Sequence, residues 1–494
     1  MTAHAPPSAL DDTLARIGMG PYQWHLLVLS GMGWAADNVD HWHISDAYIG
    51  VLTSSIFAGM TLGSVVWGSF ADLYGRRYVF LRTLAITALF GALLSMAPSF
   101  AVACILCFGV GTGVGGSMPT DGTLFLESIP KKRHYYLTAL SVFFSLGSVV
   151  CAVIALLLLP GNSCTNDAPC KKGDENQGWR HVVLSLAGIT ALFAMLRIWP
   201  FDVQESPTFL VATHRLQEAC DALQEISEAN SDATGLSLPD VQRPEADEDP
   251  VAAGVDADAD ADEDSETHAL MGTPFIPLLG SLPERLAKPL RDLARRSAPL
   301  VAPPHRRAVL LTWALWALMS LAFTMFNAFY PIYLQRKLGQ HDADETQALR
   351  DYVWYALSSV PGSLLGALLT ESPLGRAKSL ALALLATVGA QVLFLLTEEP
   401  AYVVLSGMGV SLAATTAYAI LYGYTPNVFP TSIRGTACAV ASALGRITGI
   451  AAPLLAGALL EMRVTLPILT SIVLFSLCAV TALLLPSKTR LVQL

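Results

Sequence analysis

Four charged residues stand within or at the edge of stretches otherwise apolar enough to lie in a membrane: Asp37, Asp40, Asp121 and Arg446. Burying an ionised side chain in hydrocarbon is expensive, so such residues mark paths for ions or solutes, or pair across helices. A carboxylate in that setting can take up and release a proton in each cycle of a conformational change. The three acids are therefore candidates for a proton pathway. For Asp121 a second reading stands level, an acid hydrogen-bonded to helix ends. Arg446 is read as the interhelical partner of an acid. Asn327, a lone amide in a long apolar run, needs a hydrogen-bond partner and is the candidate for touching a polar solute.

A second constellation is Gly68–Arg77, reading GSFADLYGRR, wedged between the apolar stretches Ile49–Trp67 and Tyr78–Met96. A tight basic turn between two membrane-length segments belongs at a membrane surface. An ordinary basic loop accounts for Arg76 and Arg77 but not for Asp72 or the glycines. Arg82, near the end of its span, can snorkel and is given a structural role.

These residues need spans to position them. The 494 residues are 53% hydrophobic and 14% charged, with a mean hydropathy of +0.49. Soluble proteins carry about 25% charged residues, so the chain reads as a polytopic helical membrane protein. The net charge of −10 says little about partners, because many acids crowd between Glu245 and Glu266. Six spans fall near Tyr22–Val39, Ile49–Phe70, Tyr78–Met96, Ala101–Leu124, Leu137–Leu158 and Val182–Pro200. Six more fall near Ala308–Leu334, Val353–Leu369, Leu380–Thr397, Ala401–Tyr424, Thr436–Leu460 and Leu466–Leu485. Six, a polar gap, then six is a two-bundle pattern of internal repeats. Pro373–Lys378 (PLGRAK) stands where the second half would repeat the Gly-Arg-Arg turn.

The domain reading follows: a tail over 1–21, a first bundle over 22–204, a linker over 205–307, a second bundle over 308–485 and a tail over 486–494. Lysine and arginine are more frequent in the loops on the side of both termini, so both termini are expected in the cytosol. Residues 1–21 lack the basic and small-residue signals of a cleavable leader. Residues 216–226 of the linker read as an amphipathic surface helix. The Asp/Ala/Glu/Pro-rich 229–268 is expected to be disordered. Of eight cysteines, most lie inside apolar segments, whereas Cys164 and Cys170 lie in a polar loop, on the face that can be oxidising. Both a disulfide between them and two free thiols remain open. No metal-ligand cluster, nucleotide loop or nucleophile motif stands out, so neither an enzyme, a cofactor nor a nucleic-acid partner is expected.

Four further stretches join the basic turn: Gly115–Glu127 (GGSMPTDGTLFLE) followed by PKKR, Gly178-Trp179-Arg180, Glu205-Ser206-Pro207, and Tyr424–Ala437 followed by Ala443–Arg446. Together they resemble the major facilitator superfamily. They are most similar to its sugar-porter side and to the branch related to synaptic-vesicle glycoprotein two and organic-ion transporters. The resemblance covers nearly the whole chain outside 1–20 and 211–305. It implies an all-α membrane protein with the major facilitator fold, two six-helix bundles and about 12 transmembrane helices. It also implies a monomer that moves a small solute, a sugar, organic acid or phosphate-like anion, coupled to protons. In that family, charges at the cytoplasmic helix ends latch one state of the cycle. Carried over, they are Asp72, Arg76, Arg77, Glu127 and Glu205 in the first half, and Arg376 and Arg434 in the second. The glycines of the basic turn let helices approach closely and turn sharply. Two positions depart: Leu73 stands where a basic residue is common, and Asn427 where Glu is usual, which implies a second-half latch that is either weakened or rearranged. The fifth span lacks the Gly/Pro pattern of antiporter-type exporters, which favours a uniporter or symporter.

The first span is anomalous. Its apolar run, His25 to Ala36, would be about 18 Å long as a helix against about 30 Å of hydrocarbon. Three accounts are open: a gene model lacking an exon near Asp40, a short tilted helix, or a relative of these transporters that serves as a membrane sensor or trafficking protein.

Overall fold

The computed structural model describes residues 10, 13–14, 17, 19–35, 46–130, 136–160, 162, 177–199, 203–230, 306–338, 345–370, 372–428 and 431–485. Its helices, in order, are α1 (Pro21–Ala35), α2 (Asp46–Tyr74), α3 (Arg76–Ser95), α4 (Phe100–Glu127), α5 (Tyr136–Leu158), α6 (Gly178–Ile198), α7 (Pro207–Ala212) and α8 (Leu216–Ala229). After the linker come α9 (Arg306–Asn327), α10 (Tyr330–Leu338), α11 (Glu345–Thr370), α12 (Arg376–Leu396), α13 (Pro400–Val428), α14 (Thr431–Met462) and α15 (Thr465–Leu483). Among the described residues, eleven helices are long and apolar enough to cross a membrane, with α9 and α10 counted as one. Backbone groups in hydrocarbon must be bonded within the segment, which is why each apolar run becomes a helix. Leu89, Ile105, Leu157, Leu368 and Leu396 are exposed, as side chains facing lipid must be.

The described part of the first span runs over Pro21–Ala35, and residues 36–45, the DNVDHWH stretch among them, lie outside the described residues. The expected seventh span, Ala308–Leu334, is not one helix. It breaks at Ala328–Phe329 into α9 and α10. Pro331 in the first turn of α10 has no N–H and cannot continue a helix from before it, but fits at a new start.

Helices α1 to α6 pack as one bundle, through α2 on α4, α3 on α4 and α6, and α1 on α4 and α5; α9 and α11 to α15 pack as another. The bundles meet along two seams, α2 with α14 and α5 with α11. Within the first bundle, α2 and α4 touch through facing glycine pairs, Gly59 and Gly63 on one, Gly111 and Gly115 on the other. A Cβ at Gly59 would strike the Phe108 carbonyl, at Gly63 Thr112, at Gly111 Ile56 and at Gly115 Met60. Four-residue spacing of glycines on both helices lets the backbones meet. The close approach expected of Gly68 is therefore made elsewhere; among the described residues nothing lies near a Cβ built there.

The basic turn is a backbone feature repeated in both halves. Gly75 caps α3 with φ 103°, and Gly375 caps α12 with φ 81°. Only glycine takes such a φ without strain, and an arginine follows each, Arg76 and Arg376. The end of the bundles carrying these two arginines is called the basic end here. At that end α8 is amphipathic as expected, burying Ala219, Leu223 and Ile226 in one cluster with Leu10, Leu14, Ile17, Leu26 and Phe125. At the exposed start of α8, hydrogen bonding from Arg215 holds the Glu218 carboxyl below its usual range. Where α8 ends, Asn230 accepts from the Tyr22 N–H at 3.0 Å and donates to Gln23 Oε1 at 2.9 Å.

Candidate transport pathway

A cavity of about 280 Å³ lies between the bundles, lined by α2, α4, α5 and α6 on one side and by α9, α11, α13 and α14 on the other. Among the described residues, α1 contributes nothing to its wall. The wall is aromatic and hydroxyl-bearing. Trp316 and Tyr422 meet edge to face at 4.9 Å, and Phe323 and Tyr418 at 5.1 Å. The Trp316 indole N–H is fixed by Thr425 Oγ1 at 2.9 Å, which holds the ring in one orientation. Rings arranged this way offer apolar faces, and the neighbouring hydroxyls offer exchangeable hydrogen bonds.

Asn327 lines the cavity at the break between α9 and α10, and its Oδ1 accepts from the Tyr355 hydroxyl at 2.9 Å. The partner the sequence demanded is thus Tyr355, whose ring stacks on Tyr330 at 4.0 Å. Across the break, the Tyr333 hydroxyl donates to the Met325 carbonyl at 2.9 Å. Unwound backbone at membrane depth occurs where it lines a cavity, and this break does so.

Arg446 also lines the cavity and is 7% exposed. The sequence suggested an acidic partner. Asp37 and Asp40 lie outside the described residues; among those described, Arg446 Nη1 donates to two main-chain carbonyls of the first bundle, Met60 at 2.8 Å and Gly115 at 3.0 Å. A second lone pair on a helix carbonyl can accept such a bond.

Asp121 does not line the cavity. Its Oδ2 lies 2.6 Å from Arg197 Nη2, with neither side chain exposed. Arg197 on α6 also donates to Phe80 O at 2.7 Å and Leu29 O at 3.1 Å, and its guanidinium lies 3.8 Å from the centre of the Phe80 ring. One side chain thereby joins α1, α3, α4 and α6. The sequence reading missed Arg197. The signal was present, a charge in an apolar run, but its place near a helix end let it pass as a basic flank.

At the basic end, Arg76, Arg77, Glu127 and Glu205 come together. Glu205 Oε1 accepts from the Arg76 N–H at 2.8 Å and the Arg77 N–H at 3.1 Å, at the positive end of α3. Arg76 Nε lies 3.4 Å from Glu127, and the Ser206 hydroxyl donates to the same Glu127 oxygen at 2.5 Å. Ser206 also caps α7, accepting from Phe209 N–H at 3.1 Å. In the second bundle Arg376 donates to Thr370 O at 3.4 Å and Gly423 O at 3.3 Å. Arg82 lies over the Tyr78 ring at 3.6 Å, in keeping with a structural role. The side chains of Asp72, Asn427 and Arg434, and all of Asp37, Asp40, Cys164 and Cys170, lie outside the described residues.

The model of the Major Facilitator Superfamily matches residues 26–349. The chain is 31% identical to MFS siderochrome iron transporter 1 of Ceriporiopsis subvermispora, over 99% of this chain and 91% of that protein. It is 26% identical to the synaptic vesicle 2-related protein of Xenopus laevis, over 97% and 81%. Among solved structures it is similar to a proton:xylose symporter bound to 6-bromo-6-deoxy-D-glucose, with a TM-score of 0.61 at 12% identity over 94% of this chain and 96% of that one.

Proposed function

The chain belongs to the Major Facilitator Superfamily, and from that premise we propose that it is a proton-coupled secondary transporter of a small polar or ionic organic solute. The observation that carries this reading is the cavity between the bundles, with Asn327, Arg446 and a ring of aromatic and hydroxyl side chains in its wall. A site held at the interface of two repeats is the arrangement in which rocking of one bundle against the other exposes it to each side in turn. The amide and hydroxyls suit a sugar, and Arg446 suits an organic acid or phosphate-like anion.

The bundles correspond to 22–204 and 308–485, joined by the linker over 205–307. The excess of basic residues at the end bearing Arg76, Arg306 and Arg376 supports a cytosolic side for that end and for both termini. The cluster of Arg76, Glu127 and Glu205 is the first-half gating latch, with Arg376 and Arg434 its second-half counterparts. Asp121 is the buried carboxylate assigned to proton uptake, with Arg197 as the cation that steadies its ionised form.

The test is an untargeted uptake screen in proteoliposomes, repeated for each hit under an imposed pH gradient. Uptake that rises when the outside is acid supports symport. Uptake indifferent to the gradient reduces the function to facilitated diffusion. Binding without any flux would make the protein a sensor.

A further inference from the structure

The two seams between the bundles are built from different chemistry. Along α5–α11 the hydroxyls of Ser145 and Ser363 lie 2.6 Å apart, and Ser145 Oγ lies 3.2 Å from the Ser359 carbonyl. Both serines are buried. A hydroxyl both donates and accepts, so it can trade one partner for the next as helices shift. Along α2–α14, Ser54 Oγ donates to Ile450 O at 2.7 Å. One helical turn nearer the basic end, Arg446 on α14 grips the Met60 carbonyl of α2 and the Gly115 carbonyl of α4.

Two features make this grip consequential. The glycine seam brings the two carbonyls within reach of a single nitrogen, since a side chain at 115 would collide with the Met60 main chain. A guanidinium also cannot shed its charge, so it leaves carbonyl oxygens only by finding other acceptors. Water or a solute entering the cavity that Arg446 itself lines can supply such acceptors.

We propose that Arg446 is a cross-bundle tie that holds the α2–α14 edge of the cavity closed, while the Ser145–Ser363 seam serves as the pivot. Arg446 is a positioning residue in this role, acting through the helices it joins. The inference rests on the reading that the two bundles move relative to each other.

The test reads the two seams separately, in proteoliposomes and without solute. The pair Ser54→Cys/Ile450→Cys reports the tied edge, and Ser145→Cys/Ser363→Cys reports the pivot, each in a chain whose eight native cysteines are replaced by Ser. In the Arg446→Gln background, the rate of oxidative crosslinking at the edge should fall about tenfold, the change expected for losing a charge-assisted hydrogen bond. The pivot should stay within about twofold, and Arg446→Lys should fall between. Labelling of Ile450→Cys by a water-soluble maleimide should rise in parallel. An edge rate unchanged by Arg446→Gln, or equal losses at both seams, overturns the proposal. Because no solute is used, a chain that crosslinks as expected but transports nothing would sink the transport reading alone.

Discussion

Asp121 and Arg197 lie 2.6 Å apart with both side chains wholly buried, and the pair sits inside one bundle, away from the cavity wall. Arg197 also holds carbonyls of α1 and α3, so four helices converge on it. Removing one member of such a pair leaves a buried charge and costs about 3–5 kcal/mol. Replacing both with apolar residues of similar size is often neutral. The single substitutions Asp121→Leu and Arg197→Met should each lower the melting temperature of the detergent-solubilised protein, and the double substitution should restore most of it. If Asp121 carries the proton, the double variant regains stability yet its uptake no longer responds to a pH gradient. A double variant that still responds would remove Asp121 from the proton path.

The Glu205 carboxylate caps α3 through two N–H groups while Arg76 faces Glu127. Glu205→Gln keeps the shape and loses the charge at the positive helix end, a change of about 1 kcal/mol. The expected outcome in uptake kinetics is a maximal rate reduced about fivefold with little change in KM, because the cluster stands apart from the cavity. A raised KM with an unchanged maximal rate would place the cluster in solute binding instead.

Tyr355 and Asn327 work as a unit at the break between α9 and α10. Tyr355→Phe leaves the stack on Tyr330 in place and removes one donor, worth about 1 kcal/mol or roughly fivefold in affinity. Asn327→Ala should raise KM more, with normal amounts of folded protein on size-exclusion chromatography. Equal KM values for both variants and the parent would exclude Asn327 from the solute site.

The α2–α4 seam tolerates no side chain at Gly59 or Gly115, because main-chain atoms of the other helix occupy the space. Overpacking of this kind costs about 1–3 kcal/mol or more. Gly115→Val should reduce the folded fraction recovered in mild detergent, whereas Gly68→Ala, where no described residue lies near the added Cβ, should match the parent. Equal recovery of the two variants would mean that the helices can separate without penalty.

Much of this architecture was legible in the chain because hydropathy and length are local properties. They located the eleven long helices, and the turn chemistry of Gly75–Arg76 and Gly375–Arg376 was legible as a repeat. The break before Tyr330 was also written in the sequence, in Pro331, but the apolar run across it read as one span. Partners were harder. Arg446 and Asp121 were both singled out as costly charges, yet neither spacing nor composition could say that one grips carbonyls and the other takes Arg197. Those pairings depend on which helices become neighbours. Gly115 opened one of the stretches that carried the resemblance, but the match of Gly111 and Gly115 to Gly59 and Gly63 appears only when two helices are laid side by side.

The interdigitated glycines of α2 and α4 also bear on how this chain can drift over generations. At four positions, 59, 63, 111 and 115, even one added methyl group meets backbone, so substitution there is barred almost regardless of solute. The lipid-facing leucines are held only to being apolar, and the cavity wall only to what it carries. A lineage could therefore change its cargo by exchanging rings and hydroxyls around Asn327 while the α2–α4 seam stood still, a separation that lets one scaffold diversify without refolding.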